Sequence, residues 1–126
     1  MASIQPGDYV VRSASTGTFG RVLLSARDQH LVVDGPAQNG CPGEALTPAE
    51  LFLGGVASCA AELVQVVARQ SNIELAGVEA EMTGTIDRVH ALRSDVTVFS
   101  SAALHFRFHG VGDEDAAALV EAFKGR

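Results

Sequence analysis

Tryptophan is absent from this chain, tyrosine occurs once, and there are only two cysteines in 126 residues. So few cysteines exclude the disulfide-dense scaffold of small secreted domains and fit a reducing compartment, so a cytoplasmic protein is expected. Basic residues are also scarce: nine Lys and Arg stand against fifteen Asp and Glu, a formal charge of −6. That balance argues against nucleic acid and anionic membrane surfaces as partners, since both need basic patches. No uninterrupted apolar run approaches the roughly 20 residues that span a bilayer. Met1 to Pro6 has no basic stretch followed by an apolar one, so no secretory leader is expected. Repeats and low-complexity linkers are missing too. What remains is 47% hydrophobic, enough for a modest core, and residues 1–126 read as a single domain.

Residues 8 to 33 read as short strands. Tyr9-Val10-Val11 is the first, and Phe19 to Leu24 with His30 to Val33 form a hairpin around Ala26-Arg27-Asp28-Gln29. A turn-rich loop follows from Asp34 to Leu46, with Gly35-Pro36, Asn39-Gly40 and Pro42-Gly43. Its length, about a dozen residues, is near that at which loops tend to be functional.

A helix then starts with unusually complete signals. Thr47 can cap, Pro48 sits where its missing N–H costs nothing, and Glu50 completes a capping box. The pattern predicts a helix to Arg69 or Gln70, ended by Ser71-Asn72. Its polar residues, Ser58, Glu62, Gln65 and Arg69, form one stripe, and the rest of the circumference is apolar or small. A central, largely buried helix is therefore expected. Gly54, Ala57, Ser58 and Ala61 give it a small-residue face. Two interior glycines cost roughly 1 kcal/mol each against alanine. That cost points to close approach by another backbone, and in a chain of this size a second copy of itself is the expected source.

Two longer strands alternate cleanly. In Val78 to Asp87, Val78, Ala80, Met82, Gly84 and Ile86 share one face; Glu79, Glu81, Thr83, Thr85 and Asp87 share the other. In Val96 to His109, Val98, Leu104, Phe106 and Phe108 oppose Thr97, His105, Arg107 and His109. A turn at His90 to Ser94, centred near Leu92, makes them an antiparallel hairpin whose acidic face meets a basic one, with Glu79 and His105 on the same side. Asp113-Glu114-Asp115 opens a second helix. Ala116, Leu119, Val120 and Phe123 line its apolar face, and Lys124 and Arg126 stand at its end, as the macrodipole prefers.

Cys59 is the residue on which the function turns: a buried cysteine is usually inert packing, whereas a thiolate is a nucleophile. Cys59 is too far from the helix start for the dipole to help, and Glu62 one turn on is negative, so an activating cation has to come from elsewhere in a dimer. Nine positions place Glu50 about 180° around the helix from Cys59, so Glu50 reads as the cap. His105, Arg107 and His109 share a strand face, but neighbours there are about 6.6 Å apart and do not converge as metal ligands do. No phosphate-cradling glycine loop and no Ser-His-Asp signature is visible.

The strand order, Asp34-Gly35-Pro36…Asn39-Gly40-Cys41, Thr47-Pro48-Ala49-Glu50-Leu51 and the cysteine nine residues after Glu50 resemble the OsmC/Ohr family of osmotically induced and organic-hydroperoxide-resistance proteins. Gly77-Val78-Glu79 and the helix from Asp113 to Phe123 fit as well, so the resemblance covers essentially the whole chain. It implies an α+β OsmC-like fold: N-terminal strands, a long central helix, an antiparallel hairpin and a second helix, intertwined as a homodimer. It implies reduction of organic hydroperoxides by a cysteine thiolate through a sulfenic acid, with an external thiol or dithiol reductant and no bound cofactor or metal. Cys59 matches the peroxidatic position. The family's second cysteine, on the later helix, has no match before Arg126, and the final part of the family fold is expected to be missing. Cys41 is then the candidate resolving thiol, which requires Cα atoms within about 7 Å. The hydroperoxide-resistance branch also has a hairpin arginine, for which Arg21 is the candidate, and a glutamate directly after the helix-start proline, where this chain has Ala49. These departures point to the broader OsmC-like group. They also leave a second reading: a non-catalytic, small-ligand-binding or structural dimer in which Cys59 is packing.

Overall fold

The computed structural model describes residues 5–126, so the reading of Met1 to Ile4 lies outside the described residues. The elements run β1 (Arg12–Ser15), β2 (Arg21–Ala26), β3 (Gln29–Asp34), a 3₁₀ turn (Ala37–Asn39), α1 (Pro48–Gln70), β4 (Gly77–Thr85), β5 (Ser101–His109) and α2 (Asp113–Lys124). This is the expected α+β order. The chain divides into two compact units, Met1–Leu51 and Phe52–Arg126, with the division falling inside α1.

The first unit holds an antiparallel sheet in the order β1-β2-β3. The hairpin turn is where the sequence placed it: Ala26 pairs with Gln29, and Arg27 takes φ +54° to close the two-residue loop. The first strand differs. Tyr9-Val10-Val11 precedes it, and Arg12–Ser15 makes the ladder with Val22–Ser25. Strand propensity favoured the aromatic and β-branched run, but the partner strand selected the more polar one, as sheet pairing commonly does.

α1 spans Pro48–Gln70, as expected. Its start is a complete capping box. Thr47 N–H donates to Glu50 Oε1 at 2.9 Å, Thr47 Oγ1–H donates to the same oxygen at 2.8 Å, and Glu50 N–H donates to Thr47 Oγ1 at 3.3 Å. These bonds, the Thr47 amide first, hold the Glu50 carboxyl below its usual range. The helix ends on Asn72 at φ +55°, with Ile73 N–H donating to Ala68 O at 2.8 Å and Asn72 N–H to Arg69 O at 3.3 Å. That is a Schellman ending with asparagine as the left-handed residue.

In the second unit, β4 and β5 form a two-stranded antiparallel sheet in which Glu79 lies opposite Arg107 and Glu81 opposite His105. Glu79 and His105 thus share the expected face, but the group that bonds Glu79 is His109, whose Nε2 lies 2.9 Å from Glu79 Oε2. The strands end at Thr85 and resume at Ser101, so a loop of residues 86–100 replaces the short turn expected at His90 to Ser94. The core of this unit is Val67, Ala68 and Leu119, packed by Ile73, Leu75 and Phe108.

One expectation about α1 needs correction. The helix is not largely buried: only Ala60, Val64, Val67 and Ala68 are enclosed, because one chain packs one face of it. And α1 is long and apolar enough to cross a membrane by length and composition, with mean hydropathy 1.8 over its most apolar 18 residues, although no uninterrupted apolar run foretold it. The leucines and valines raise that average, while Glu62, Gln65 and Arg69 keep a polar stripe opposite the packed face. The core helix of a folded unit has the same character.

Candidate functional site

Cys59 is exposed and its thiol is free. It lies on an uncovered side of α1, in an open groove of about 390 Å³ lined by Phe52, Gly55, Val56, Cys59, Leu63, Phe123 and Arg126. Five of these residues come from α1 at offsets of three, one, three and four, which is the single-face spacing of a helix. Gly55 sits one turn before Cys59, and a Cβ built there would meet nothing within 4 Å, so the wall is open beside the thiol. Gly54 is equally open, so the close backbone approach expected from the two glycines is not made among the described residues. Ser58 Oγ donates back to Gly54 O at 2.6 Å, which turns its hydroxyl away from solvent bonding.

Phe123, in the last turn of α2, and Arg126, just past its end, complete the groove. Phe123 meets Phe106 edge-on at a ring separation of 5.4 Å, which ties the groove wall to β5. Arg126 is the groove's one charged residue, and its guanidinium donates to Gln70 Oε1 at 3.2 Å. Sequence reasoning assigned both residues only to the end of an amphipathic helix. No local pattern states which neighbour that end will face.

Arg21 and Cys41 belong to the first unit, where the structure brings them into one cluster. Arg21 and Asp34 are directly opposed across the β2–β3 hairpin. Arg21 Nε and Nη2 donate to the two Asp34 oxygens at 2.7 and 2.9 Å. Asp34 is 0% exposed and also accepts from the amides of Glu44 and Ala45, at 2.9 and 3.0 Å. The Arg21 hydrogen bonds lead the shift of its carboxyl down to about 2, against the opposing effect of burial, with the two amides adding to it. Arg21 is thus held in a bidentate pair, with Glu44 at 3.9 Å as a second carboxylate. Asp34 was not foreseen as its partner, although extending the correctly read hairpin register from Ala26–Gln29 reaches it.

Cys41 is half-buried beside this pair. Its sulfur occupies the space that side chains at Gly20 and Gly35 would need: a Cβ on either glycine would lie 2.4 Å from Cys41 Sγ. Gly35 N–H donates to Gly20 O at 2.8 Å, which draws the two glycines together around the thiol. On the β4–β5 face, His109 is engaged by Glu79, whose carboxyl is held below its usual range chiefly by that bond.

Comparison with known proteins agrees with this architecture. No curated protein matches the chain. Among solved structures, an OsmC-like protein of Mycoplasma pneumoniae has a TM-score of 0.79 at 14% identity, covering 94% of this chain and 82% of its own. An organic hydroperoxide resistance protein of Elizabethkingia anophelis has a TM-score of 0.72 at 16% identity, covering 98% and 84%. The organic hydroperoxide resistance protein OsmC of Legionella pneumophila has a TM-score of 0.69 at 24% identity, covering 92% and 81%. At these identities the likeness is one of fold. The family model described as OsmC-like protein matches residues 41–126, which include α1, Cys59, the β4–β5 sheet and α2. The chain belongs to the OsmC-like protein family.

Proposed function

We propose that this protein is a thiol-dependent peroxidase that reduces organic hydroperoxides through Cys59 and works as a homodimer in the cytoplasm. The observation that carries the reading is the placement of an accessible thiol in an apolar groove whose lining includes Arg126. Several structural neighbours are named organic hydroperoxide resistance proteins, which supports the same chemistry. Two free cysteines suit a reducing compartment.

The groove suits the reaction. The Cys59 thiolate attacks the distal oxygen of the hydroperoxide, the O–O bond breaks, and the leaving alkoxide takes a proton to become an alcohol. Cys59 is left as a sulfenic acid, two electrons oxidised. An external thiol then attacks the sulfenic sulfur, releasing water and forming a mixed disulfide. A second thiol reduces that disulfide and restores Cys59. Phe52, Val56, Leu63 and Phe123 offer the organic group an apolar wall. Arg21 serves here by holding Asp34 and the loop that bonds it, and Cys41 by filling the space between Gly20 and Gly35. Resolution therefore falls to a thiol supplied from outside.

The homodimer follows from the exposed side of α1. Phe52 and Val56 face solvent, and Gly54 and Gly55 leave room for another backbone. The alternative, a non-catalytic dimer in which Cys59 is packing, draws on Ala49, which stands where the hydroperoxide-resistance branch has a glutamate.

The test is peptide-level mass spectrometry after stoichiometric cumene hydroperoxide, with peroxide consumption measured under a dithiol reductant. The expected outcome is a trappable sulfenic acid on Cys59 and turnover that Cys59→Ser abolishes. Cys59 left unmodified, with equal consumption by wild type and Cys59→Ser, would establish the packing alternative. A Cys41–Cys59 disulfide would replace the external thiol with Cys41.

A further inference from the structure

Phe99 lies outside the Cys59 groove yet is tied to its wall. The tie begins in the sheet. Ser100, at the foot of β5, donates to Thr85 O twice, from its amide at 2.8 Å and its hydroxyl at 3.0 Å. That clamp holds the neighbouring Phe99 over Gly84. A Cβ at Gly84 would lie 2.8 and 2.9 Å from two Phe99 ring atoms and 3.0 Å from Leu53 Cδ1, so the ring rests where only glycine leaves space. From there Phe99 stacks on Phe52, with ring centroids 5.9 Å apart and planes 21° apart. Phe52 is 66% exposed and lines the groove two turns before Cys59. An exposed phenylalanine at the start of a helix would otherwise sample its rotamers freely.

We propose that Phe99 is a positioning residue: it holds the Phe52 ring as a fixed wall and so gives the groove its preference for hydroperoxides with an aromatic or extended apolar group. This rests on the peroxidase reading of Cys59, but the groove itself can be tested without turnover. Seven residues of helix rise separate Phe52 from Cys59 by about 10 Å. A small branched hydroperoxide bound at the thiol does not need that wall. A larger apolar group that reaches Phe52 gains from a ring already in place, because ordering a mobile side chain on binding weakens association by about 2- to 10-fold.

Phe99→Ala removes the prop under Phe52 while leaving every lining residue of the groove unsubstituted. Two readouts apply. The first is the ratio of kcat/KM for cumene hydroperoxide to that for tert-butyl hydroperoxide. The second, independent of peroxidase activity, is the ratio of alkylation rates at Cys59 by N-phenylmaleimide and iodoacetamide, read on the Cys59 peptide. Both ratios are expected to fall by about 2- to 10-fold in Phe99→Ala. Phe99→Tyr should restore them, and Phe52→Ala should reproduce the loss with no further change in the double variant, since the two act as one unit. Gly84→Ala, which displaces the Phe99 ring but keeps it, provides a second perturbation if Phe99→Ala fails to fold, and it too should change the ratios. Unchanged ratios in the folded variants, or equal rate changes for large and small reagents, would overturn the proposal. Absent turnover in the wild type with the alkylation ratio shifted as expected would remove the peroxidase reading and leave the positioning role in place.

Discussion

Two valines on α1 test how the helix is covered. Val64 is 0% exposed and Val56 is 38% exposed. Truncating either to alanine removes two methyl groups. At about 0.8 kcal/mol per buried carbon, the transfer loss at Val64 is about 1.6 kcal/mol. The cavity left in a site this closed raises the cost to roughly 2–3 kcal/mol. At Val56 the same figure, scaled for its exposure in one chain, gives about 1 kcal/mol. A second copy closing over Val56 would bring its cost towards that of Val64. It would also make stability depend on protein concentration, a 100-fold rise being worth about 2.7 kcal/mol. The assay is urea unfolding of wild type, Val64→Ala and Val56→Ala at about 1 and about 100 µM. The expected result is a wild-type midpoint that rises with concentration, with Val56→Ala losing more than the single-chain figure at the higher one. A midpoint that does not move would refute the homodimer. A Val64→Ala variant less destabilised than Val56→Ala would refute the burial assignment from which both figures come.

Three further outcomes follow from single features. Asp34 has its carboxyl lowered from 3.8 to about 2, so the stability it contributes is complete above pH 4 and is lost as pH falls towards 2; in acid titrations of urea stability, Asp34→Asn should show a slope shallower than wild type by up to one proton across that window. Thr47→Ala, which removes the capping hydroxyl bonded to Glu50, should cost about 1 kcal/mol by thermal unfolding, and an unchanged melting temperature would show that the cap is idle. Gly35→Ala should destabilise by about 1–3 kcal/mol, because its Cβ would meet Cys41 Sγ at 2.4 Å, and Cys41→Gly in the same chain should recover most of that loss; additive effects would refute the close packing of Cys41.

Features whose causes are local were legible in the sequence. The start of α1 rests on Thr47, Pro48 and Glu50, all within one turn, and its end on Asn72, which tolerates the left-handed conformation the chain adopts there. The β2–β3 turn and the faces of β4 and β5 were equally readable, since a two-residue period states which side chains share a face. Features chosen by a distant partner were less so. β1 begins at Arg12 because β2 pairs with that stretch and not with the more strand-prone Tyr9-Val10-Val11. β5 begins at Ser101 because Ser100 closes onto Thr85, and the alternation read from Val96 onward carries no trace of that clamp.

The candidate site divides along the same line. Cys59 could be singled out because it is a rare residue at a recognisable place in a helix, but its surroundings depend on packing. The apolar circumference of α1 was read as burial, and that inference omitted how much surface a chain of this size can supply. One face of α1 is enclosed with Leu119 and the residues around it, which leaves Phe52, Val56 and Cys59 on the uncovered side. The apolar composition and the exposure are compatible once that side is treated as a surface with its own occupant. On the proposed reading the groove takes a hydroperoxide and the open glycines take a second chain. Phe52, Val56 and Cys59 share the groove face, Gly55 borders it, and Gly54 lies farther around the helix. On that reading Phe52 and Leu63 shape a ligand's surroundings, while Gly54 and Gly55, where an added Cβ would meet nothing within 4 Å, leave room for a backbone.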